Sequence, residues 1–189
     1  MRDKIKDLLL QSIQVKEEVL RNAVTQIVEI AEAMIDCLRK GGKVILFGNG
    51  GSASDSQHIA AELVGRFQKE RHPLPAIALT GNTSILTSLA NDYGYETVFA
   101  KQIEALGNKN DLAIGISTSG KAKNVVLGIK QAKKMGIKTI ALTGGDGGEI
   151  AKLADISFIV PSSVTARIQE THITIGHILC DIVEENLFS

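Results

Sequence analysis

The chain has 189 residues, enough for one domain with a substantial core, and its 21 basic and 21 acidic residues cancel. No excess charge steers it toward nucleic acid or an anionic membrane, and aromatic residues at 4% with no tryptophan argue against a base-stacking platform. The two cysteines, Cys37 and Cys180, lie far apart without CxxC spacing and read as buried, reduced thiols of a cytoplasmic protein.

The opening MRDKIKDLLLQSIQVKEEVL spreads charge through its apolar positions, so no signal peptide is expected, and no apolar run approaches membrane-spanning length. Residues 4–39 place Ile5, Leu8, Leu9 and Ile13, then Val24, Ile27, Ala31, Met34 and Leu38, at helical spacing. This predicts one long helix or two, stopped at Gly41-Gly42. It is more amphipathic helix than a sheet face needs, so residues 1–40 are expected to form a subunit interface.

Beyond it the pattern alternates. KVILFG (43–48), AIALT (76–80), LAIGIS (112–117), TIALTG (139–144) and ISFIV (156–160) are short apolar runs bounded by turn residues. Helical patterns separate them at 52–68, 83–90 with 95–106, 121–135 and 148–153, and a last helix is predicted over 164–187. Apolar strands alternating with helices predict an α/β fold, a doubly wound open parallel sheet of five strands covered on both faces. We read one domain, 1–189, with an α/β core over 41–189. Ligands of such folds bind outside the carboxyl ends of the strands.

Three strand ends open into polar, glycine-rich turns: GNGGSAS, STSGKAKN and TGGDGGE. The first lacks the GxGxxG spacing of a dinucleotide fold, and no GxxxxGK[ST] loop for a nucleoside triphosphate is present. Ser117-Thr118-Ser119-Gly120 runs from a strand into a helix start, where free amides and the helix dipole favour an anion. One hydroxyl would serve as an N-cap; three in a row suit a phosphate monoester. Asp146 in TGGDGGE reads as a turn or cap residue.

His58 and Glu62 are four apart, on one helix face, and in isolation would be a solvated pair. Gln169 and His177 break the apolar face of the last helix, but eight residues separate them by about 12 Å along the axis. Both would have to lean to a common point, or different subunits contribute. Asp181, one turn beyond His177, is placed to orient its ring.

Taken together, FGNGGSASDSQHIAAEL, SLANDYG, ISTSG, ALTGGDGG and ARIQETHI…H resemble the sugar isomerase (SIS) domain family, and within it the phosphoheptose isomerase branch. The resemblance spans essentially the whole chain. It implies a homotetramer with active sites at subunit interfaces, and conversion of sedoheptulose 7-phosphate to D-glycero-D-manno-heptose 7-phosphate, the first step toward ADP-heptose and lipopolysaccharide core. By position, it implies that Asn49, Gly50, Gly51, Ser52, Asn91 and Asp92 line the sugar phosphate and that Ser117, Thr118 and Ser119 hold the phosphate. It also implies that His58, Glu62, Gln169 and His177 bind Zn²⁺, with Glu62 and His177 as the acid/base pair. Ala122 stands where the family often has a further serine, and Lys121 or Lys123 is a candidate to compensate. A non-enzymatic SIS-domain regulator that binds the replication initiator DnaA resembles the chain nearly as well. That regulator lacks the residues equivalent to Glu62 and His177, so the enzyme is favoured.

Overall fold

A computed structural model describes residues 1–188. Two helices, α1 (Arg2–Asn22) and α2 (Val24–Arg39), precede an alternating core. It runs β1 (Val44–Gly48), α3 (Gly51–Val64), β2 (Ala76–Ala78), α4 (Thr83–Tyr93), a 3₁₀ turn (Tyr95–Thr97), α5 (Val98–Leu106), β3 (Leu112–Ser117) and α6 (Lys123–Lys134). It closes with β4 (Lys138–Gly144), α7 (Gly148–Leu153), β5 (Ile156–Val160) and α8 (Thr165–Leu187).

The five strands form one parallel sheet in the order β2-β1-β3-β4-β5, as the apolar runs predict. Strand alternation sorts the core into two layers. Val44, Leu46, Leu112, Ile114, Ile116, Ile140 and Leu142 join residues of α2, α3 and α8 on one face. Ile45, Phe47, Ala113 and Ala141 join Phe99, Val125 and Ile129 of α5 and α6 on the other.

The open choice at the N-terminus resolves as two helices. Ala23 leaves helical geometry at φ −129°, ψ 9°, with no proline or glycine to announce it. α1 buries only Val19, whereas α2 buries Ile30, Ala31, Ala33, Met34, Ile35 and Cys37. Ile5, Leu8, Leu9, Leu10, Ile13, Leu20, Val24 and Val28 stay exposed.

Two elements are shorter than expected. β2 pairs with β1 only over Ala76–Ala78. α3 ends at Val64 rather than 68 because its last carbonyls have another partner. The Arg71 guanidinium donates to the carbonyls of Glu62, Leu63 and Gly65. A helix end left with unpaired carbonyls is stable only when such donors are supplied.

Candidate active site

β1 and β3 are neighbours where the strand order reverses, so the loops leaving Gly48 and Ser117 share one crevice. In the first loop Gly50 takes φ +55°, which favours glycine, and starts α3 without a side-chain cap. Gly51 is closely approached: a Cβ there would lie 2.5 Å from Nε2 of Gln169 and would displace that amide. Ser52 is buried beneath this turn, so its side chain sits under the loop rather than on its open face.

Asn49 is held by a reciprocal amide pair with the buried Asn124 of α6, both bonds 2.8 Å, and its Oδ1 also accepts from the Tyr95 hydroxyl at 3.0 Å. The sequence reading singled out neither Asn124 nor Tyr95. Tyr95 follows Asn91 and Asp92 by a few residues and so ties the end of α4 to the crevice. Asn91 and Asp92 are exposed and bonded to each other at 2.8 Å.

In the second loop α6 begins at Lys123 with no side-chain cap. Among the described residues, the Ser117 and Thr118 hydroxyls bond to no protein group, while Ser119 Oγ accepts from the Lys121 amide at 3.3 Å. The simple N-cap reading of the three hydroxyls therefore fails. Gly120, at φ +63°, presents its carbonyl to the Glu149 and Ile150 amides at the start of α7. TGGDGG is thus a backing for the second loop. Asp146 is the turn residue expected, accepting from the Gly148 amide at 3.0 Å. It also pairs with Lys121 at 3.0 Å, and that ammonium, together with the Gly148 amide, holds its carboxyl below the usual carboxylate range. Lys121 is therefore engaged, and Lys123 is exposed without an ion-pair partner among the described residues.

About two turns along α3 from the first loop lies the titratable cluster. α3 and α8 approach closely: a Cβ on Gly176 would lie 2.7 Å from Cδ1 of Ile59. That contact brings His58 and Glu62 against His177. His58 Nε2 is 3.0 Å from Glu62 Oε1 and 3.4 Å from His177 Nε2, with the two rings edge to face. One ligand atom from each residue lies within 4.8 Å of the others. Glu62 is half-buried and engages the pair through Oε1; its Oε2 accepts no protein hydrogen bond among the described residues.

The expected orientation of His177 by Asp181 is not what holds it. Among the described residues no hydrogen bond joins the two; instead the Phe67 ring packs on the imidazole, centroids 5.6 Å apart. Of the four expected ligands, His58, Glu62 and His177 converge, and the Gln169 amide lies at the Gly51 turn. Asp55, one turn before His58, was also not foreseen. Its Oδ2 is buried without a partner, and burial lifts it to about 6 against the pull of His58. Both cysteines fit the sequence reading: burial pushes each thiol up to about 12.

The cluster suits a divalent ion. A single Nε2–H on His58 cannot serve both Glu62 Oε1 and His177 Nε2, whereas a cation accepts lone pairs from all three. Two nitrogens about 2.0–2.1 Å from one tetrahedral zinc lie about 3.4 Å apart, which is the separation of the two imidazole nitrogens.

Residues 9–144 match the SIS domain family. The chain is 57% identical over 185 residues to phosphoheptose isomerase of Aquifex aeolicus, covering 98% of this chain and 97% of the relative. The chain belongs to the phosphoheptose isomerase family of SIS-domain enzymes. Two solved structures extend the match to three dimensions. Phosphoheptose isomerase GmhA of Neisseria gonorrhoeae superimposes with a TM-score of 0.93 at 43% identity, over 97% of this chain and 98% of that one. A phosphoheptose isomerase of Francisella tularensis gives 0.94 at 44% identity, over 97% of each. Membership of the family is thus carried by the long N-terminal helices as well as by the core. No described helix is long and apolar enough to cross a membrane.

Proposed function

We propose that the chain interconverts sedoheptulose 7-phosphate and D-glycero-D-manno-heptose 7-phosphate through an enediol, on the route to ADP-heptose and lipopolysaccharide core in the cytoplasm. The observation that carries this reading is the convergence of His58, Glu62 and His177, two turns along α3 from the crevice between β1 and β3. The free hydroxyls of Ser117 and Thr118, with Ser119, suit the phosphate, and Asn49, Gly50, Gly51, Asn91 and Asp92 belong to the sugar-binding side, with Ser52 supporting the turn from beneath. A heptose phosphate spans roughly 8–10 Å from phosphorus to C1, given C–C bonds of ~1.5 Å. Seven helical residues from Gly51 to His58 rise about 10 Å, so a phosphate at the strand ends leaves C1 and C2 beside the cluster.

Zn²⁺, one per subunit, fits His58, Glu62 and His177, with Gln169 completing the set by leaving Gly51 or by coming from a neighbouring copy. When bound, the ion supplies an electrophile that polarises the substrate carbonyl. Glu62 has two oxygens to divide between tasks: Oε1 faces the imidazoles, and Oε2 is free to act as base. Glu62 takes the C1 proton of the ketose and returns it at C2, while His177, whose Nε2 would face the metal, would give a proton to O2 and accept one from O1 through Nδ1. The exchange leaves the enzyme unchanged after each turnover.

The chain is read as one domain whose residues 1–40 serve assembly, in a homotetramer with active sites at subunit interfaces. An apolar groove of about 580 Å³ supports this; Val24, Val28 and Ile35 line one side and Ile175, Ile178 and Ile182 the other. Val24, Val28, Ile178 and Ile182 are exposed along it, the kind of apolar surface that a contact covers.

The test is direct turnover of sedoheptulose 7-phosphate by the purified protein, repeated with Glu62→Gln and His177→Ala. Each variant is expected to lose roughly 10²–10⁴-fold in kcat with the oligomer intact. Removing the metal should lower activity and adding Zn²⁺ back should restore it. Wild-type rates in both variants would remove the assigned roles. No turnover together with DnaA binding would instead favour the regulator.

A further inference from the structure

α8 and the loop after α3 are joined by an ion pair that the chemistry above does not use. Arg71 and Glu184 are 113 residues apart, and each side chain is 1% exposed. Arg71 Nε donates to Glu184 Oε2 at 2.7 Å. The rest of the guanidinium spends itself on backbone: Nη2 donates to Glu62 O at 2.9 Å, and Nη1 to Leu63, Gly65 and His72 carbonyls at 3.0, 3.3 and 3.1 Å. Glu184 is saturated in turn, its carboxylate accepting from the Phe67, Gln68 and Lys69 amides.

Stability alone does not explain such a pair, since well-packed apolar residues in place of buried ions are often as stable or more so. What apolar residues lack is direction. The guanidinium fixes the carbonyl of Glu62 itself, and the carboxylate fixes the amide of Phe67, whose ring lies on His177. Glu184 is also seven residues after His177 on α8, two turns along the same face. The pair therefore grips both halves of the cluster from behind: Glu62 through its backbone on α3, and His177 through Phe67 and α8.

We propose that Arg71 and Glu184 are positioning residues that set the separation of Glu62 and His58 from His177, with Phe67 as the last link. This rests on reading those three residues as the reacting cluster. The pair touches no reacting atom. It acts by holding two helices at the spacing the proton transfers need, where a misplacement near 1 Å has a large effect on rate.

The experiment uses the full-length protein labelled with ¹⁵N-histidine: the imidazole signals of His58 and His177 are read on the metal-free form, and kcat and KM on sedoheptulose 7-phosphate are read on the zinc-loaded form at equal metal content. Arg71→Lys and Glu184→Asp keep both charges, so neither leaves a buried ion uncompensated. Expected are shifted His58 and His177 signals, unmoved His172 signals, and a kcat loss of roughly ten- to hundredfold with little change in KM. Ile129→Val, on the other face of the sheet, controls for general destabilisation and should move none of these. Should the clamp variants not fold, Phe67→Leu decides, and is expected to move the His177 signals and lower kcat. Unmoved imidazole signals in the folded variants, or a kcat no lower than that of Ile129→Val, would overturn the proposal. If the wild type does not act on sedoheptulose 7-phosphate yet the signals shift, the substrate reading fails and the clamp stands. If turnover is present and unaffected by the variants, the clamp fails and the substrate reading stands.

Discussion

The two faces of the sheet are built by different rules. On the α5 and α6 face, Phe47, Phe99, Val125 and Ile129 pack as an apolar layer, and the buried Gln102 is satisfied by the carbonyls of Leu79 and Val98. On the α3 and α8 face, an equally apolar layer supports groups a core normally avoids. Asp55 Oδ2 and His172 Nδ1 are buried without partners, Arg71 and Glu184 are buried as ions, and three ligand-type side chains face one another. Burial of such groups costs free energy unless they are paired. One face specifies the fold; the other departs from fold-making rules at the places where the chemistry is expected.

The comparison breaks most sharply at Glu62. Glu62→Gln should cost roughly 10²–10⁴ in kcat while leaving the thermal midpoint nearly unchanged, since the side chain is half-buried and makes one contact. Turnover and calorimetry on the same sample check this.

Next in size is Glu184→Leu. It strands Arg71 as an unpaired buried charge and should lower stability by about 3–5 kcal/mol in urea unfolding. It also changes the response to acid. Burial alone would raise Glu184, yet the Lys69, Phe67 and Gln68 amides and Arg71 outweigh it and hold the carboxyl at about 2, below its ordinary 4.5. The carboxylate's contribution is full above about pH 4.5 and is lost as pH falls toward about 2. The wild type should therefore lose stability across that window, and Glu184→Leu should show a flatter curve by circular dichroism.

On the plain face, Ile129→Ala removes a fully buried side chain and should cost about 2–5 kcal/mol by cavity formation, with kcat preserved wherever the protein remains folded. A kcat loss there would blur the distinction between the faces. The smallest effect is expected at Ala122→Ser, which adds one hydroxyl at the start of α6. A single hydrogen bond to a charged phosphate is worth about 1.5–3 kcal/mol at most, so KM should fall by roughly tenfold or somewhat more with kcat unchanged.

How much of this was legible depended on the range of the signal. Strands β1, β3, β4 and β5 lie within a residue of their apolar runs because a buried parallel strand must be apolar throughout. The break at Ala23 had no local residue to mark it. The end of α3 was misjudged because Arg71, nine residues beyond Glu62, supplies the carbonyl donors from a loop. His58, Glu62 and His177 could be singled out as polar residues at helical spacing, but not their convergence, which depends on Gly176 letting α3 and α8 touch. The position of Gln169 was set by another contact, its amide lying at Gly51. Asn124, Tyr95, Phe67 and Glu184 were missed because each acts on a partner between 46 and 117 residues away.

The most direct measurement follows sedoheptulose 7-phosphate by NMR with the zinc-loaded wild type and Glu62→Gln at equal, verified metal content. Conversion to the aldose phosphate by the wild type and its loss in the folded, metal-bound variant is the predicted result. Equal conversion by both proteins, or none by the wild type, would contradict the assignment of the cluster to this isomerisation.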